Sequence, residues 1–439
     1  MSRQRVLVIG HTDVGRRVCG LLREQGIDTV HLDDPTDADI AAHVDDALTG
    51  VAVLLHDDIR ALRYSLVVEH LHPGIRLFVA IFDRTVRSQL EVAVPNCVVM
   101  SPAAISVPSM VAAAIAPGHA AIRRRGAPTV RAWVSVTEAS PYALREFMPS
   151  AGMRLRGALG ILRGQVRPYD QGSVVLLAGA LGLALVTAID TWVGAHHDGF
   201  LVALHDAVLT TATVQSPGIG DEPLRLLWAT VAAALVMGLT AAFGAGIVHH
   251  LLEGRHVGIV GRRVAPRSGH VIIAGMGQVG LRLAQELRAL GIAVVCIEQR
   301  HDAPTLSKAK GLGIPVVIDD ASSQGVLRRA GIRRALAVVA AGSDERDNIA
   351  IAIAARAAAP AVDVVIRAGS DDAIAETRSL FHIGAAIDVN ALTAAFVAQA
   401  VHGSRPYLAV HADAAVVAID EQGAILGRYA AESAHCACA

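Results

Sequence analysis

Residues 270–299 read HVIIAGMGQVGLRLAQELRALGIAVVCIEQ. An apolar run of strand length ends at Ala274, and Gly275, Gly277 and Gly280 follow it with GxGxxG spacing. Apolar residues then recur at helical period through Leu290. A second apolar run, Ile292 to Ile297, closes on Glu298, 18 residues past the last glycine. Each part has a mechanical reason. Gly275 permits a tight turn, Gly277 lets backbone approach a pyrophosphate, and Gly280 lets helix and strand pack closely. The helix start at Gln278 and Val279 offers free N–H groups to phosphate, while Glu298 can accept hydrogen bonds from ribose hydroxyls. Strand, helix, strand and acid together predict a Rossmann-type α/β fold that holds a dinucleotide. An acid at position 298 favours an unphosphorylated ribose, so NAD(H) or an adenine nucleotide is expected rather than NADP.

The following stretch, VVIDDASSQGVLRRAGIRRALAVVAAGSDERDNIAIAIAAR, resembles the regulator-of-potassium-conductance (RCK) family, also called TrkA-N domains. The family's Gly-Asp-Ala-Thr segment stands here as Asp319, Asp320, Ala321 and Ser322, with Asp319 replacing the usual glycine. Its Asp-Glu-x-x-Asn segment stands as Asp344, Glu345 and Asn348. The resemblance runs to about Val401 and covers the domain 269–401. It adds Asp320 and Ala321 to the candidate cofactor-binding residues Gly275, Gly277, Gln278, Val279, Gly280 and Glu298. In the tail, 402–439, a strand pair is expected around Ala414 to Leu426, turning at Glu421 to Gly423.

Residues 5 to about 115 repeat the architecture in shortened form: RVLVIG, an amphipathic helix, DTVHLDD, GVAVLLHDD, RLFVAIFD and NCVVMSP. Strands alternating with helices predict a second parallel sheet, within the domain 1–117. The closing VVMSPAAISVPSMVAAAI again resembles TrkA-N domains. Its turn, Gly10 to Gly15, has Thr12 in place of the second glycine and places Asp13 near the phosphate position. Both changes oppose a pyrophosphate, so this domain is expected to be mainly a scaffold. Residues 118–170 read as a basic connector, with Arg123, Arg124 and Arg125 near anionic lipid.

Composition points to lipid without proving it: 53% of residues are hydrophobic and 18% charged, against an ordinary charged share of roughly 25%. Local runs decide. Gln171 to Ile189 is 19 residues without a charge, and Leu226 to Val248 is 23. At about 1.5 Å per residue, such runs cover the roughly 30 Å of a bilayer core. Arg154, Arg156, Arg163 and Arg167 precede the first run, and Arg255, Arg262, Arg263 and Arg267 follow the second. The segment between carries Asp198, Asp206, Asp221 and Glu222 against a single Arg225. By the positive-inside rule both termini are cytoplasmic and the connecting loop lies outside. Trp192 and Trp228 fall at the outer interface, and Asp190 is expected to reach headgroup water there. A transmembrane domain, 171–252, is therefore expected, with helices at about 171–193 and 226–248, a re-entrant loop at 199–223 and a linker at 253–268.

The loop is apolar from Phe200 to Thr211, which predicts a short helix dipping into the membrane, and rich in Thr, Gly and Pro beyond it. These residues resemble the two-span potassium channel family, whose pore helix runs into a Thr-Val-Gly-Tyr-Gly-Asp filter. Thr213 and Val214 match its start, and Gly218, Ile219, Gly220 and Asp221 its end, with Ile for Tyr. Gln215, Ser216 and Pro217 are inserted between, which should interrupt a stack of carbonyls facing one ion axis. Two readings stand: an ion pathway of altered selectivity, and an outer hairpin without conduction. Gly238, Gly244 and Gly246 are positions where the second span could bend or contact a neighbour closely, and Gly238 is the candidate gating hinge.

The whole chain thus reads as two α/β Rossmann-like domains flanking an all-α two-helix transmembrane domain of pore type. Resemblance implies a nucleotide-regulated potassium or cation channel in the cell membrane, a homotetramer whose paired domains form a ring of eight, possible K+ in the pore, and lipid and nucleotide as partners. A non-conducting nucleotide sensor or regulatory subunit of an ion transporter is the alternative. A net charge of −1 gives no clustered basic surface for nucleic acid. No enzyme is expected, because no separate substrate domain with a convergent acid or base is visible and the fold alone supplies no chemistry. Cys19, Cys97, Cys296, Cys436 and Cys438 are an odd, scattered set that suits reduced cytosol, and the last two make no closed metal site. The basic start MSRQR leads into a strand, with an apolar stretch too short for a signal-peptide core.

Overall fold

The computed structural model describes residues 4–82, 84–125, 132–137, 144–152, 155, 171–212, 223–252, 266, 268–369, 384–412 and 415–430. They fall into two compact units, Met1–Gly164 with Ala265–Ala439, and Gln165–Val264.

The first unit holds both Rossmann lobes. The N-terminal lobe has strands β1 (Arg5–Ile9), β2 (Asp28–Leu32), β3 (Leu48–Val53), β4 (Arg76–Val79) and β5 (Cys97–Val99), all parallel in the order β2-β1-β3-β4-β5. Helices α1 (Asp13–Glu24), α2 (Asp37–His43), α3 (Asp58–Leu71) and α4 (Arg84–Ala93) connect its strands, and α5 (Pro102–Ile115) follows β5. Side chains set the starts of these helices. Thr36 and Asp39 form a reciprocal capping box at α2, and Asp57 accepts the Ile59 and Arg60 N–H groups at α3.

The C-terminal lobe has β9 (His270–Ala274), β10 (Ala293–Glu298), β11 (Val316–Ile318), β12 (Ala337–Ala340), β13 (Asp363–Ala368) and β14 (Ala385–Asp388), again parallel, in the order β11-β10-β9-β12-β13-β14. This is the doubly wound order with its switch point between β9 and β12. Strands β9 and β10 are buried at every position, as continuous apolar runs with helices on both faces should be. In the N-terminal lobe α2 leads straight back to β3 beside β1, so that sheet has one strand fewer beyond β2.

The lobes are joined by exchanged helices. Helix α5 leaves β5 and packs on α9 (Gln278–Ala289) and on strands β12, β13 and β14 of the other lobe. Helix α13 (Val389–Val401) leaves β14 and packs on α1, β3 and β4. Nearly every residue of both helices is buried, which explains sequences apolar on all sides. One hydrophobic core therefore runs through both lobes, joining Val18, Phe78 and Met110 to Leu283, Ile387 and Phe396. Inside the exchange, Arg17 donates to Asp388 at 2.5 Å, with 3% and 2% of the two side chains exposed. The other Asp388 oxygen caps α13 by accepting the Ala391 N–H at 2.8 Å, and the Asp388 N–H donates to His411 at 3.1 Å.

Two antiparallel sheets follow the exchanged helices. The expected basic connector contains β6 (His119–Arg125), β7 (Ala132–Thr137) and β8 (Leu144–Glu146), in the order β6-β7-β8. The tail contains three strands, β15 (Leu408–Ala412), β16 (Ala415–Ile419) and β17 (Ile425–Ala430), where a strand pair was expected. Ala121 and Val136 share a core with Leu408, Val410, Val417 and Ile419. The arginine run is correspondingly engaged in protein contacts. The Arg123 guanidinium lies 4.4 Å from the Tyr407 ring centroid and donates to the Tyr407 carbonyl, and Arg124 stands 3.8 Å from Glu286. Packing against the tail's sheet decided this, and the local charge pattern carried no sign of it.

The second unit is helical: α6 (Gln171–Asp198), α7 (Phe200–Thr211) and α8 (Pro223–Leu252). Stretches Val175–Ala195 and Leu227–Val248 have mean hydropathies of 1.8 and 2.1 and are long and apolar enough to cross a membrane. Helix α6 packs on both others, closely where glycine permits it. A Cβ at Gly179 would meet the Phe243 backbone at 2.9 Å, and one at Gly246 would meet the Leu176 Cβ at 2.7 Å. Gly238 and Gly244 face open space in this unbroken helix. Asp190, half-buried, accepts the Trp228 indole N–H at 2.7 Å.

Two stability predictions follow from this packing. Arg17→Met should destabilise the chain by about 3–5 kcal/mol, because it leaves the Asp388 carboxylate buried without its cation; the double change with Asp388→Asn should recover part of that loss in denaturation curves. Burial pulls His270 below its ordinary pKa of 6.5, so the folded chain holds that proton less well than the unfolded chain. The stability it supports is present above pH 6.5 and lost as pH falls below it; melting temperatures should drop on acidification, and less steeply in His270→Gln.

Candidate functional site

The site is built at the carboxyl edge of the C-terminal sheet, where β9 and β12 diverge. Gly275 follows β9 with φ +91°, a conformation that suits glycine, and a Cβ there would meet the Gly342 N at 2.7 Å. The turn after β9 and the turn after β12 thus touch through backbone. Gly280 lies in the first turn of α9, and a Cβ there would meet the Gly275 carbonyl oxygen at 2.0 Å. Close helix–strand packing is therefore obligatory there. Gly277 caps α9 without a side-chain bond, and a Cβ at this position meets nothing within 4 Å. Backbone is bare on that side, which is the space a pyrophosphate needs above a helix N-terminus. Gln278 opens the helix and Val279 is buried beneath it.

Glu298 ends β10 and is buried, with both carboxylate oxygens engaged. One accepts the Met276 N–H at 2.6 Å and the other the Arg300 N–H at 3.0 Å. The carboxylate therefore bridges the glycine turn and the segment after β10, and its remaining lone pairs are available to a ligand hydroxyl. The Asp319 N–H donates to the Glu298 carbonyl at 3.0 Å, which brings the next turn alongside. There Asp320 accepts the Ser322 N–H and hydroxyl, both at 2.8 Å, and stays exposed, while Ala321 is buried. Asp319 pairs with Arg329 at 2.8 Å.

On the other side of the switch point, Asn348 is fully buried on α12 (Glu345–Ala358). It accepts the Gly342 N–H at 2.9 Å and donates to the Gly342 and Arg367 carbonyls at 3.1 and 3.0 Å. Asp344 caps α12 by accepting the Arg346 and Asp347 N–H groups. The structure thus brings Gly275, Gly277, Gln278, Val279, Gly280, Glu298, Asp320 and Ala321 to one sheet edge. Sequence spacing gave no sign of Met276 and Thr305, the latter at the start of α10 (Thr305–Gly311), whose hydroxyl donates to the Met276 carbonyl.

The corresponding turn in the N-terminal lobe is closed by its own side chains. The Thr12 hydroxyl oxygen accepts the Gly15 N–H at 3.2 Å and donates to the Leu54 carbonyl at 3.1 Å. His31 bonds the Gly10 carbonyl at 2.8 Å, and Arg16 pairs with Asp13.

The filter-like residues Thr213, Val214, Gly218, Ile219, Gly220 and Asp221, the flanking arginines, the linker 253–265, and Cys436 and Cys438 lie outside the described residues. Gly238 lies in the helical unit. Among the described residues no group of three or more His, Cys, Asp and Glu side chains could hold a metal ion.

With this geometry in view, residues 271–390 match the family described as TrkA-N domain. An uncharacterized protein of Methanothermus fervidus is 32% identical over 117 residues, covering 27% of this chain and 18% of the relative. Potassium channel protein 1 of Methanocaldococcus jannaschii is 24% identical over 206 residues, covering 44% of this chain and 59% of the relative. The chain thus spans less than two thirds of either curated relative. Among solved structures, the GsuK channel superposes with a TM-score of 0.52 at 15% identity, over 91% of this chain and 64% of the other, which shows the shared fold.

The glycines make separable predictions. Gly280→Val should prevent the turn from closing and lower the melting temperature, whereas Gly277→Ala should leave melting unchanged and abolish detectable binding of NAD and ADP by calorimetry.

Proposed function

We propose that this chain, whose residues 271–390 form a TrkA-N domain, is a nucleotide-regulated, potassium-channel-like membrane protein. One observation carries the reading: an open phosphate turn backed by an acid stands in the same chain as two helices long and apolar enough to span a bilayer. The ligand is NAD(H) or an adenine nucleotide, held by Gly275, Gly277, Gln278, Val279, Gly280, Glu298, Asp320 and Ala321. Likeness to a potassium channel of Methanocaldococcus jannaschii supports K+ as the transported ion. The N-terminal lobe, with its turn filled by Thr12 and His31, is the scaffold of the pair.

Regulation requires that the nucleotide bind one arrangement of the lobes more tightly than another. The exchanged helices supply the route within the unit: a shift at α9 bears directly on α5, and through it on the N-terminal lobe. The chain works as a homotetramer in the cell membrane with both termini cytoplasmic, because two spans cannot enclose a pore alone. Exposed apolar residues fit such an assembly: Leu181, Leu185, Leu235 and Met237 on the spans face lipid or neighbouring copies, and Ile59, Leu66 and Leu71 line a shallow groove on α3. No enzymatic step is assigned to this site.

The Gln215-Ser216-Pro217 insertion favours a second reading, a non-conducting nucleotide sensor acting on a transporter. Flux measurements on the chain in liposomes separate the two. Potassium flux that changes with NAD, NADH, ADP or ATP is expected; absence of flux in all four would remove conduction and leave the sensor.

A further inference from the structure

We infer that Thr305 is a positioning residue of the nucleotide site: its hydroxyl fixes the peptide that aims the Gly277 N–H. The inference rests on the nucleotide reading for its consequence, and on geometry alone for the clamp. Met276, between the two glycines of the turn, is held at both of its backbone polar groups by side chains from the β10–α10 segment. Its N–H donates to Glu298 at 2.6 Å, and its carbonyl accepts the Thr305 hydroxyl. Both partners are buried, and the Met276 side chain is fully enclosed in the core.

The Met276 carbonyl and the Gly277 N–H belong to one peptide group. That group is planar and trans, so its C=O and N–H point to opposite sides. Holding the carbonyl on Thr305 therefore turns the Gly277 N–H away from Thr305 and leaves it free of any acceptor among the described residues. Gly277 is where a Cβ meets nothing, so its bare face is the surface available to phosphate. Flanking glycines would otherwise let this peptide rotate at low cost. Glu298 and Thr305 remove that freedom before any ligand arrives, which lowers the ordering entropy lost on binding. The N-terminal lobe shows the contrast. There Thr12, inside the turn itself, caps the helix and bonds Leu54, so the turn is fixed by filling it. In the C-terminal lobe the turn is fixed from beneath and stays open.

The test uses the full chain in detergent, with Thr305→Val, which keeps the shape and loses the hydroxyl, and Thr305→Ser, which keeps the hydroxyl. Amide hydrogen exchange without nucleotide is read over residues 275–278, together with melting temperature and calorimetric titration of ADP and NAD. Expected in Thr305→Val are faster exchange in the turn, a modest fall in melting temperature from the hydrogen bond lost in the free chain, and affinity weaker by roughly five- to tenfold, the order of the cost of fixing one backbone residue again on binding; Thr305→Ser should restore all three. Unchanged exchange in Thr305→Val would overturn the clamp. Faster exchange with unchanged affinity, or an affinity loss that Ser does not rescue, would overturn the positioning role. If the wild-type chain binds neither nucleotide, the proposed function fails and the positioning role with it, while the exchange measurement still decides the clamp.

Discussion

Burial of two helices without a charged residue, α5 and α13, each against the other lobe's sheet, is the constraint on which the soluble unit depends. Neither helix has a polar face to turn toward water, and neither lobe can cover its own sheet without the other's helix. The exchange therefore makes two domain-sized folds into one cooperative core. The Arg17–Asp388 pair lies within that exchange. A buried ion pair contributes little net stability compared with apolar packing, yet it penalises any arrangement that separates its members. It sets the register of α13 on α1, since Asp388 is also the residue that caps α13.

The two lobes share a chain path and differ at the turn where function would reside. In the C-terminal lobe, glycine at 277 leaves backbone bare, and side chains from outside the turn hold it. In the N-terminal lobe, threonine at 12 brings its own hydroxyl into the same place and uses it on the helix start and on Leu54. Thr12, together with His31 on the Gly10 carbonyl and the Arg16–Asp13 pair, makes this a closed structural turn where the C-terminal lobe has an open one. The shared core offers a physical means for a ligand on one lobe to be felt in the other.

In the helical unit, polar side chains on the apolar helices find partners within the protein. Asp190 and Trp228 answer each other across two helices, and the Thr187 and Thr211 hydroxyls meet at 2.7 Å. Such pairs are favoured where water is scarce, because an unpaired polar group in hydrocarbon costs several kcal/mol or about that order. Glycines 179 and 246 let the helices approach, whereas Gly238 takes no part in that contact and keeps its conformational freedom.

Much of this was legible in the order of residues. The glycine spacing with Glu298, the alternation of strands and helices in both lobes, the short helix from Phe200 to Thr211 and the two long apolar runs all depend on neighbours within a few turns of chain, and local periodicity reports such neighbours. What the sequence could not disclose depends on residues far apart in it. Arg17 and Asp388 are 371 positions apart, and Arg123 and Tyr407 are 284 apart. The charged arginine run looked like a lipid-facing connector because the sheet that its own sheet packs against lies in the tail. Glu298 read as a ribose acceptor, and only the folded turn revealed that its oxygens already hold the Met276 and Arg300 amides. Local chemistry fixes which elements form; which side chains complete one another's hydrogen bonds is decided only when the elements pack.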